Sequence, residues 1–174
     1  LAAPTGAGKT LVAELAIQMS LDKGKRAIYT APIKALSNQK YRDFKAIDPE
    51  GVGIMTGDVT INPQAPVLIM TTEILRNTIL ENPASLDDVE TVVFDEIHYM
   101  DDPDRGTVWE ESIIFAPKQI RFVCLSATIA NLDQFGQWIG KTREQDIAVI
   151  RHVERPVPLA HYAWFPSGGL RSIK

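Results

Sequence analysis

The segment Thr91-Val92-Val93-Phe94 is an apolar, β-branched run that stops abruptly at two carboxylates, Asp95 and Glu96. A run with no alternating polar face suits a strand buried on both sides, as in a parallel sheet covered by helices. The same design recurs along the chain. Arg26-Ala27-Ile28-Tyr29 leads into Thr30-Ala31-Pro32, Val67-Leu68-Ile69-Met70 into Thr71-Thr72, and Phe122-Val123-Cys124-Leu125 into Ser126-Ala127-Thr128. Helically spaced apolar residues lie between these runs, so strands and helices alternate. With 174 residues, 45% of them hydrophobic, the chain can bury one full core. The fold class predicted is α/β, a mostly parallel sheet with helices on both faces, and such sheets bind ligands at the carboxyl ends of their strands.

One of those ends carries a phosphate-loop pattern, Ala3-Pro4-Thr5-Gly6-Ala7-Gly8-Lys9-Thr10. In such a loop Pro4, Thr5, Gly6, Ala7 and Gly8 curve the backbone so that its N–H groups face phosphates. Lys9 reaches the terminal phosphates and Thr10 offers its hydroxyl to Mg2+. The following helix, supported by Leu11, Val12, Leu15, Ala16 and Met19 at helical spacing and a stop at Asp22-Lys23-Gly24, aims its positive end at the same place. Ala3 stands where the general pattern has glycine, and taken alone the match leaves open a glycine-rich turn that merely caps a helix.

Asp95, delivered to the sheet edge, can hold Mg2+ directly or through its waters, since Mg2+ takes few carboxylates plus phosphate oxygens. Glu96 could then position or deprotonate the attacking water, and His98, two residues on, would reach the γ-phosphate to sense or relay the nucleotide state if the segment turns. The bland alternative is an acidic helix start followed by an ordinary packed or surface histidine.

Taken together, these blocks resemble the superfamily 2 DExH-box helicases, and among them the Ski2/Mtr4-like group with its bacterial relatives. The resemblance covers nearly the whole chain. It rests on Ala3 to Thr10, Ala31 to Tyr41, Met55 to Pro63, Met70 to Asn77, Asp95 to Met100, Arg105 to Glu111 and Leu125 to Thr128, in order. These helicases commonly carry alanine at the place of Ala3.

The resemblance implies a RecA-like, P-loop first motor lobe, ATP and Mg2+ as cofactors, and 3'-to-5' unwinding of duplexes, with RNA the expected strand. By position it makes Lys9 and Thr10 phosphate and Mg2+ ligands, Asp95 an Mg2+ ligand and Glu96 the base. His98, with Ser126 and Thr128, would couple hydrolysis to strand movement. Pro32, Lys34, Gly57, Asp58, Thr71, Thr72 and Arg76 fall in segments that contact or flank the sugar-phosphate backbone. It also implies partners: single-stranded nucleic acid, a second RecA-like lobe of the same chain, and an RNA-processing complex.

The residues themselves support the strand-binding set less directly. Pro32 and Thr71-Thr72 end strands on the same edge as Lys9 and Asp95, where hydroxyls and helix N–H groups suit phosphate oxygens. Backbone contacts carry no sequence information, so the binding expected is sequence-tolerant and salt-sensitive. Thr71 or Thr72 equally suits the N-cap of the next helix, and Arg76 a solvated helix charge. Lys23, Lys25 and Arg26 read as a solvated connection.

Net charge is -4, so no global basic footprint advertises nucleic acid and the binding face must be a narrow patch. The acidic clusters, Glu81 to Glu90 and Asp101, Asp102 and Asp104, read as solvated turns. The single cysteine, Cys124, lies in an apolar strand and excludes a disulfide within this chain. No run approaches the ~20 apolar residues of a membrane span, which suits an intracellular protein.

The chain reads as a piece of something longer. Only Leu1-Ala2 precede the loop, and no second lobe follows. Residues 1–150 are expected to form the first lobe and residues 151–174 the exit toward the second. An arginine finger from that second lobe would be worth ~10^3 to 10^5 in rate, so the piece alone is expected to hydrolyse ATP slowly and unwind nothing. Two other functions fit the motifs: a DNA-repair helicase of the same superfamily, and a non-catalytic nucleotide-binding docking module.

The layout expected is a helix after Thr10, then strand 26–30, helix 34–44, strands 52–55 and 67–70, and helix 72–81. Strand 91–95, helix 106–114, strand 121–126, helix 132–140 and strand 147–150 follow. Trp109 and Trp138 are expected in the core, and Trp164 in a connecting strand.

Overall fold

The computed structural model describes residues 1–103, 105–127, 131–158, 160–165 and 169–172. Thr128, assigned above to coupling, and Asp104 lie outside the described residues.

Strands β1 (Arg26–Ala31), β2 (Val52–Met55), β3 (Thr60–Ile61), β4 (Val67–Thr71), β5 (Val89–Phe94) and β6 (Arg121–Cys124) form one sheet in the order β3-β2-β4-β1-β5-β6. All neighbours are parallel except the β2–β3 pair. The sheet is therefore the mostly parallel one the apolar runs predict. β1 is flanked on both sides, and every residue from Ala27 to Ala31 is buried.

Alternate residues of these strands feed two apolar layers. On one face Ile28, Leu68, Met70, Val92 and Phe94 pack against Leu75 and Ile79 of α3 (Thr72–Glu81) and Trp109 and Ile113 of α4 (Gly106–Phe115). Ile139 of α5 (Leu132–Arg143) completes that layer. On the other face Tyr29, Ile54, Ile69 and Val93 pack against Ala13 and Ile17 of α1 (Lys9–Leu21) and Phe44 of α2 (Lys34–Ile47).

Helix α1 forms where the spacing predicts, but with another face inward. Ala13, Ile17 and Ser20 are buried, whereas Leu11, Leu15 and Met19 are 58, 58 and 60% exposed. Two of the three inner side chains, Ala13 and Ser20, are small where α1 packs on β1 and β5, and the Ser20 hydroxyl donates to Thr91 Oγ1 at 2.7 Å.

Arg26 is likewise no solvated charge. Its Nε donates to the carbonyl oxygen of Ala65 at 3.0 Å and its Nη2 to that of Pro63 at 2.8 Å, which pins the β3–β4 connection to the start of β1.

No strand forms at residues 147–150. The chain instead makes an isolated bridge between Ala2 and Arg151, while Ala2 bridges Ser126 on its other side. Residues Leu1 to Ala3 thus extend the sheet beyond β6 and lead directly into the glycine-containing loop before α1. Short 3-10 turns at Pro83–Leu86 and Ile97–Asp101 were not legible as elements. Trp109 is fully buried and Trp138 half-buried. Trp164 sits in β7 (Tyr162–Phe165), which pairs with β8 (Gly169–Ser172) as a separate two-stranded sheet.

Candidate functional site

The loop between Ala3 and Lys9 turns on two glycines in left-handed conformation, Gly6 at φ 84° and Gly8 at φ 81°. A side chain in that region of φ is strained. Gly8 is also the N-cap of α1, so the loop curls at the positive end of a 13-residue helix, the arrangement that favours an anion. Lys9 folds back into the loop, its Nζ donating to the carbonyl oxygens of Ala3 at 2.8 Å and Pro4 at 3.3 Å. Thr5, Gly6 and Gly8 are exposed, Ala7 half-buried and Pro4 buried, so the rim of the loop faces solvent.

At the end of β5 the Asp95 amide donates to the carbonyl oxygen of Thr30 at 3.0 Å, aligning the tip of β5 with that of β1. The two Asp95 oxygens are held separately. Oδ1 accepts the Glu96 amide at 3.0 Å, and Oδ2 accepts the Tyr29 hydroxyl at 2.5 Å. Burial, and then the Asp95 charge, pushes the Tyr29 phenol well above the ordinary tyrosine range, so it stays a donor. Thr10 is met from the other side, where Lys40 Nζ donates to its Oγ1 at 3.3 Å and lies 5.8 Å from the Tyr29 ring centre.

Glu96 has φ 50°, left-handed and unusual for a side-chain-bearing residue. Backbone conformations of this kind cost about 1–3 kcal/mol and cluster at working sites. The turn brings Glu96 Oε2 to 3.3 Å from His98 Nδ1, and Ser126 Oγ lies 3.4 Å from the same nitrogen. Ile97 donates to the carbonyl oxygen of Leu125 at 2.9 Å, so the acidic segment and the end of β6 are tied by backbone as well. The chemistry available is a phosphate cradle, a lysine, a hydroxyl and a carboxylate suited to a divalent ion, and a second carboxylate beside an imidazole. Among the described residues no group of three or more His, Cys, Asp or Glu side chains could hold a metal alone. One hydroxyl and one carboxylate fit Mg2+, which relies on phosphate oxygens and water for its other ligands.

A second region lies along the same sheet edge. Pro32, Lys34, Gly57 and Thr71, with Ile33, Glu73 and Arg105, line an open depression of about 520 Å³. Lys34 Nζ meets Asp58 Oδ2 at 2.5 Å at its exposed rim. Two residues assigned to strand contact are not brought there. Thr72 is fully buried with its Oγ1 unpartnered, and Arg76 turns to Glu111 at 3.1 Å. Thr71 is the N-cap of α3 by position, yet makes no side-chain capping bond.

A model of the DEAD/DEAH box helicase family matches residues 1–135. The chain belongs to the DEAD/DEAH box helicases. This helicase segment is 54% identical over 169 residues to the DExH-box ATP-dependent RNA helicase DExH9 of Arabidopsis thaliana, covering 97% of the segment and 17% of that protein. It is 53% identical over 165 residues to the antiviral helicase SKI2 of Saccharomyces cerevisiae, covering 94% and 13%. To the exosome RNA helicase MTR4 of Homo sapiens it is 52% identical over 169 residues, covering 97% and 16%. The segment therefore spans 13 to 17% of the length of these relatives. Its likeness to the Ski2/Mtr4-type helicases extends over nearly all its length, and its sheet is consistent with a RecA-like lobe.

Sequence reasoning did not single out three residues that bond within or beside this candidate site: Tyr29, Lys40 and Arg105. Tyr29 lies inside an apolar strand run, where its ring reads as packing. Lys40 follows at helical spacing from Lys34 only loosely. Arg105 could have been flagged by its place in the Arg105 to Glu111 block, but its partners are far off in sequence. No helix among the described residues is long and apolar enough to cross a membrane.

Proposed function

We propose that residues 1–150 are the first RecA-like motor lobe of an ATP-dependent 3'-to-5' RNA helicase, with residues 151–174 leading toward its second lobe. The observation that carries this reading is the bond from the Asp95 amide to Thr30 O. It joins the carboxylate end of β5 to the strand that runs on through Pro32 and Lys34 into the open depression. Nucleotide and nucleic acid would then act on the two sides of one backbone junction.

In this reading the loop amides and Lys9 bind the phosphates of ATP, and Thr10 and Asp95 hold Mg2+. Bound there, Mg2+ supplies charge neutralisation at the phosphate oxygens. Glu96 takes the proton of the attacking water. His98, bridging Glu96 and Ser126, is placed to pass the state of the site toward the end of β6, where Thr128 follows. Pro32, Lys34, Gly57, Asp58 and Thr71 present the strand-binding face, with Thr72 and Arg76 behind it supporting α3. The names of the relatives favour RNA over DNA, and one of them, an exosome RNA helicase, favours work inside the cell in an RNA-processing assembly.

The test is Mg2+-dependent ATP hydrolysis by the full-length protein, titrated with single-stranded RNA and, separately, single-stranded DNA at fixed salt. Stimulation by RNA is the expected result. DNA-selective stimulation would make it a repair helicase, and no turnover with intact nucleotide binding would make it a docking module.

A further inference from the structure

Tyr29 stands in the middle of β1 with its ring fully buried, tilted against Phe44 at 5.7 Å between ring centres. Phenylalanine would fill that space equally well. The hydroxyl therefore needs its own explanation, and its partner is Asp95 Oδ2 at 2.5 Å. Its donor is set on a rigid strand: β1 pairs with β4 on one side and β5 on the other, and Thr30 Oγ1 donates to Val93 O at 3.0 Å one residue along. With Oδ1 taken by the Glu96 amide at 3.0 Å, the carboxylate is held by two donors, one on the backbone and one on a buried ring. Each carboxylate oxygen keeps a further lone pair.

We propose that Tyr29 is a positioning residue for Mg2+ binding, its hydroxyl holding the Asp95 carboxylate in the orientation the metal needs. The inference rests on the ATP-site reading above. Groups that orient a metal ligand from behind commonly set affinity, and their loss costs about 10–100-fold in metal affinity or activity. A purely structural hydroxyl, satisfied only because it is buried, would change stability and leave the metal requirement alone.

The deciding experiment compares the full-length protein with Tyr29→Phe, Asp95→Asn and the double variant, following binding of a fluorescent non-hydrolysable analogue, mant-AMPPNP, as Mg2+ is titrated. Tyr29→Phe should raise the Mg2+ concentration at half-maximal tightening about tenfold. It should leave the affinity measured in EDTA unchanged, which also reports that the variant is folded. In the Asp95→Asn background the same substitution should have no further effect. An unshifted Mg2+ midpoint in Tyr29→Phe overturns the proposal, as does an equal shift in the Asp95→Asn background. A second readout keeps the hydroxyl in place: 3-fluorotyrosine at position 29 should show a fluorine resonance that moves with Mg2+ in the otherwise wild-type protein and not in Asp95→Asn. A resonance that ignores Mg2+ also counts against it. Wild-type protein that fails to bind the analogue overturns the ATP-site reading itself, and this inference with it.

Discussion

Arg105 Nη2 donates to the carbonyl oxygen of Pro32 at 2.5 Å, across 73 residues of sequence. The same guanidinium pairs with Glu73 in the first turn of α3 and lies over the Trp109 ring, 5.8 Å from its centre. Arg105 follows the Asp95-Glu96 strand end through one 3-10 turn, so a single side chain ties the segment behind these two carboxylates to two walls of the open depression.

Removing that tie should damage strand binding before nucleotide binding. Arg105→Ala in the full-length protein is expected to weaken single-stranded RNA binding about tenfold, the scale of one charge-assisted hydrogen bond. Affinity for ATP analogues should stay within about twofold. Arg105→Lys should recover only part of the loss, because one ammonium lacks the planar fork that meets a carbonyl and a carboxylate together. Fluorescence anisotropy with labelled RNA decides it, and RNA affinity unchanged in Arg105→Ala would show that the depression does not hold the strand.

Among the described residues Lys9 has no acidic hydrogen-bond partner, only the carbonyl oxygens of Ala3 and Pro4. Those bonds exchange readily for phosphate oxygens, which carry full charge. Lys9→Ala should therefore lower ATP affinity by about tenfold to a hundredfold while leaving the loop intact, since the curvature comes from Gly6 and Gly8. Equilibrium binding of mant-ADP measures this, and wild-type affinity in the variant would remove Lys9 from the phosphate site.

Glu96 is held by its backbone. A left-handed Glu96 at φ 50° points the carboxylate toward His98, and an amide of the same shape keeps that geometry without accepting a proton. Glu96→Gln should thus preserve ATP binding and reduce turnover by about 10^2 to 10^4, the range for losing a general base. Single-turnover hydrolysis with bound RNA is the appropriate assay, and unimpaired turnover would exclude Glu96 as the base.

The parts of this molecule that were legible in its sequence are those set by short-range chemistry. Val92, Val93 and Phe94 announce a doubly buried strand by having no polar alternation, and Gly6, Gly8, Lys9 and Thr10 announce a tight glycine turn opening a helix by residue type and order. Periodicity places α1 correctly but not its inner face, because Leu11, Leu15 and Met19 satisfy the same spacing as Ala13 and Ile17. Only the packing of α1 on β1 and β5 selects Ala13, Ile17 and Ser20. Strand β3 is two residues long, too short to show a pattern. The arginines were least legible of all. Arg26, Arg105 and Arg143 look like surface charges and instead bond to backbone carbonyls 23 to 73 residues away, a partnership with no local signature.

Cys124 illustrates a milder case. It keeps some surface on the cavity between β6 and α5, yet the protein packed about the sulfur pushes its thiol from 9.0 up to about 12. At pH 8 the native thiol should react with iodoacetamide about a thousandfold more slowly than the unfolded one, since only the thiolate attacks. The fold favours the protonated form, so between pH 9.0 and about 12 the unfolded state gains by ionising while the native state does not. Stability should accordingly fall as pH rises through that window. Equal labelling of native and denatured chain would show that the sulfur is not shielded.

Arg143 carries the largest stability prediction. It is buried at 1% exposure, and its guanidinium donates to the carbonyl oxygens of Ala116 at 2.5 Å, Pro117 at 2.7 Å, Ile120 at 3.2 Å and Ile113 at 3.3 Å. These groups end α4 and form its link to β6, so one side chain from the last turn of α5 satisfies carbonyls that a helix end leaves open. Burial lowers the affinity of the guanidinium for its proton, though arginine keeps its charge. Its plane also lies 4.7 Å from the Phe122 ring centre, which adds a cation–π attraction in a partly dry site. Arg143→Met keeps the aliphatic bulk and strands the carbonyls, at a cost of about 3 kcal/mol for losing several buried charge-assisted bonds. For a chain of this size that corresponds to a fall of about 6–12 °C in melting temperature. Arg143→Lys should recover only part of it, because one ammonium cannot reach four oxygens spread around a helix end. Thermal unfolding followed by circular dichroism measures both variants, and a shift below about 2 °C for Arg143→Met would mean that the carbonyls find other donors when the guanidinium is gone.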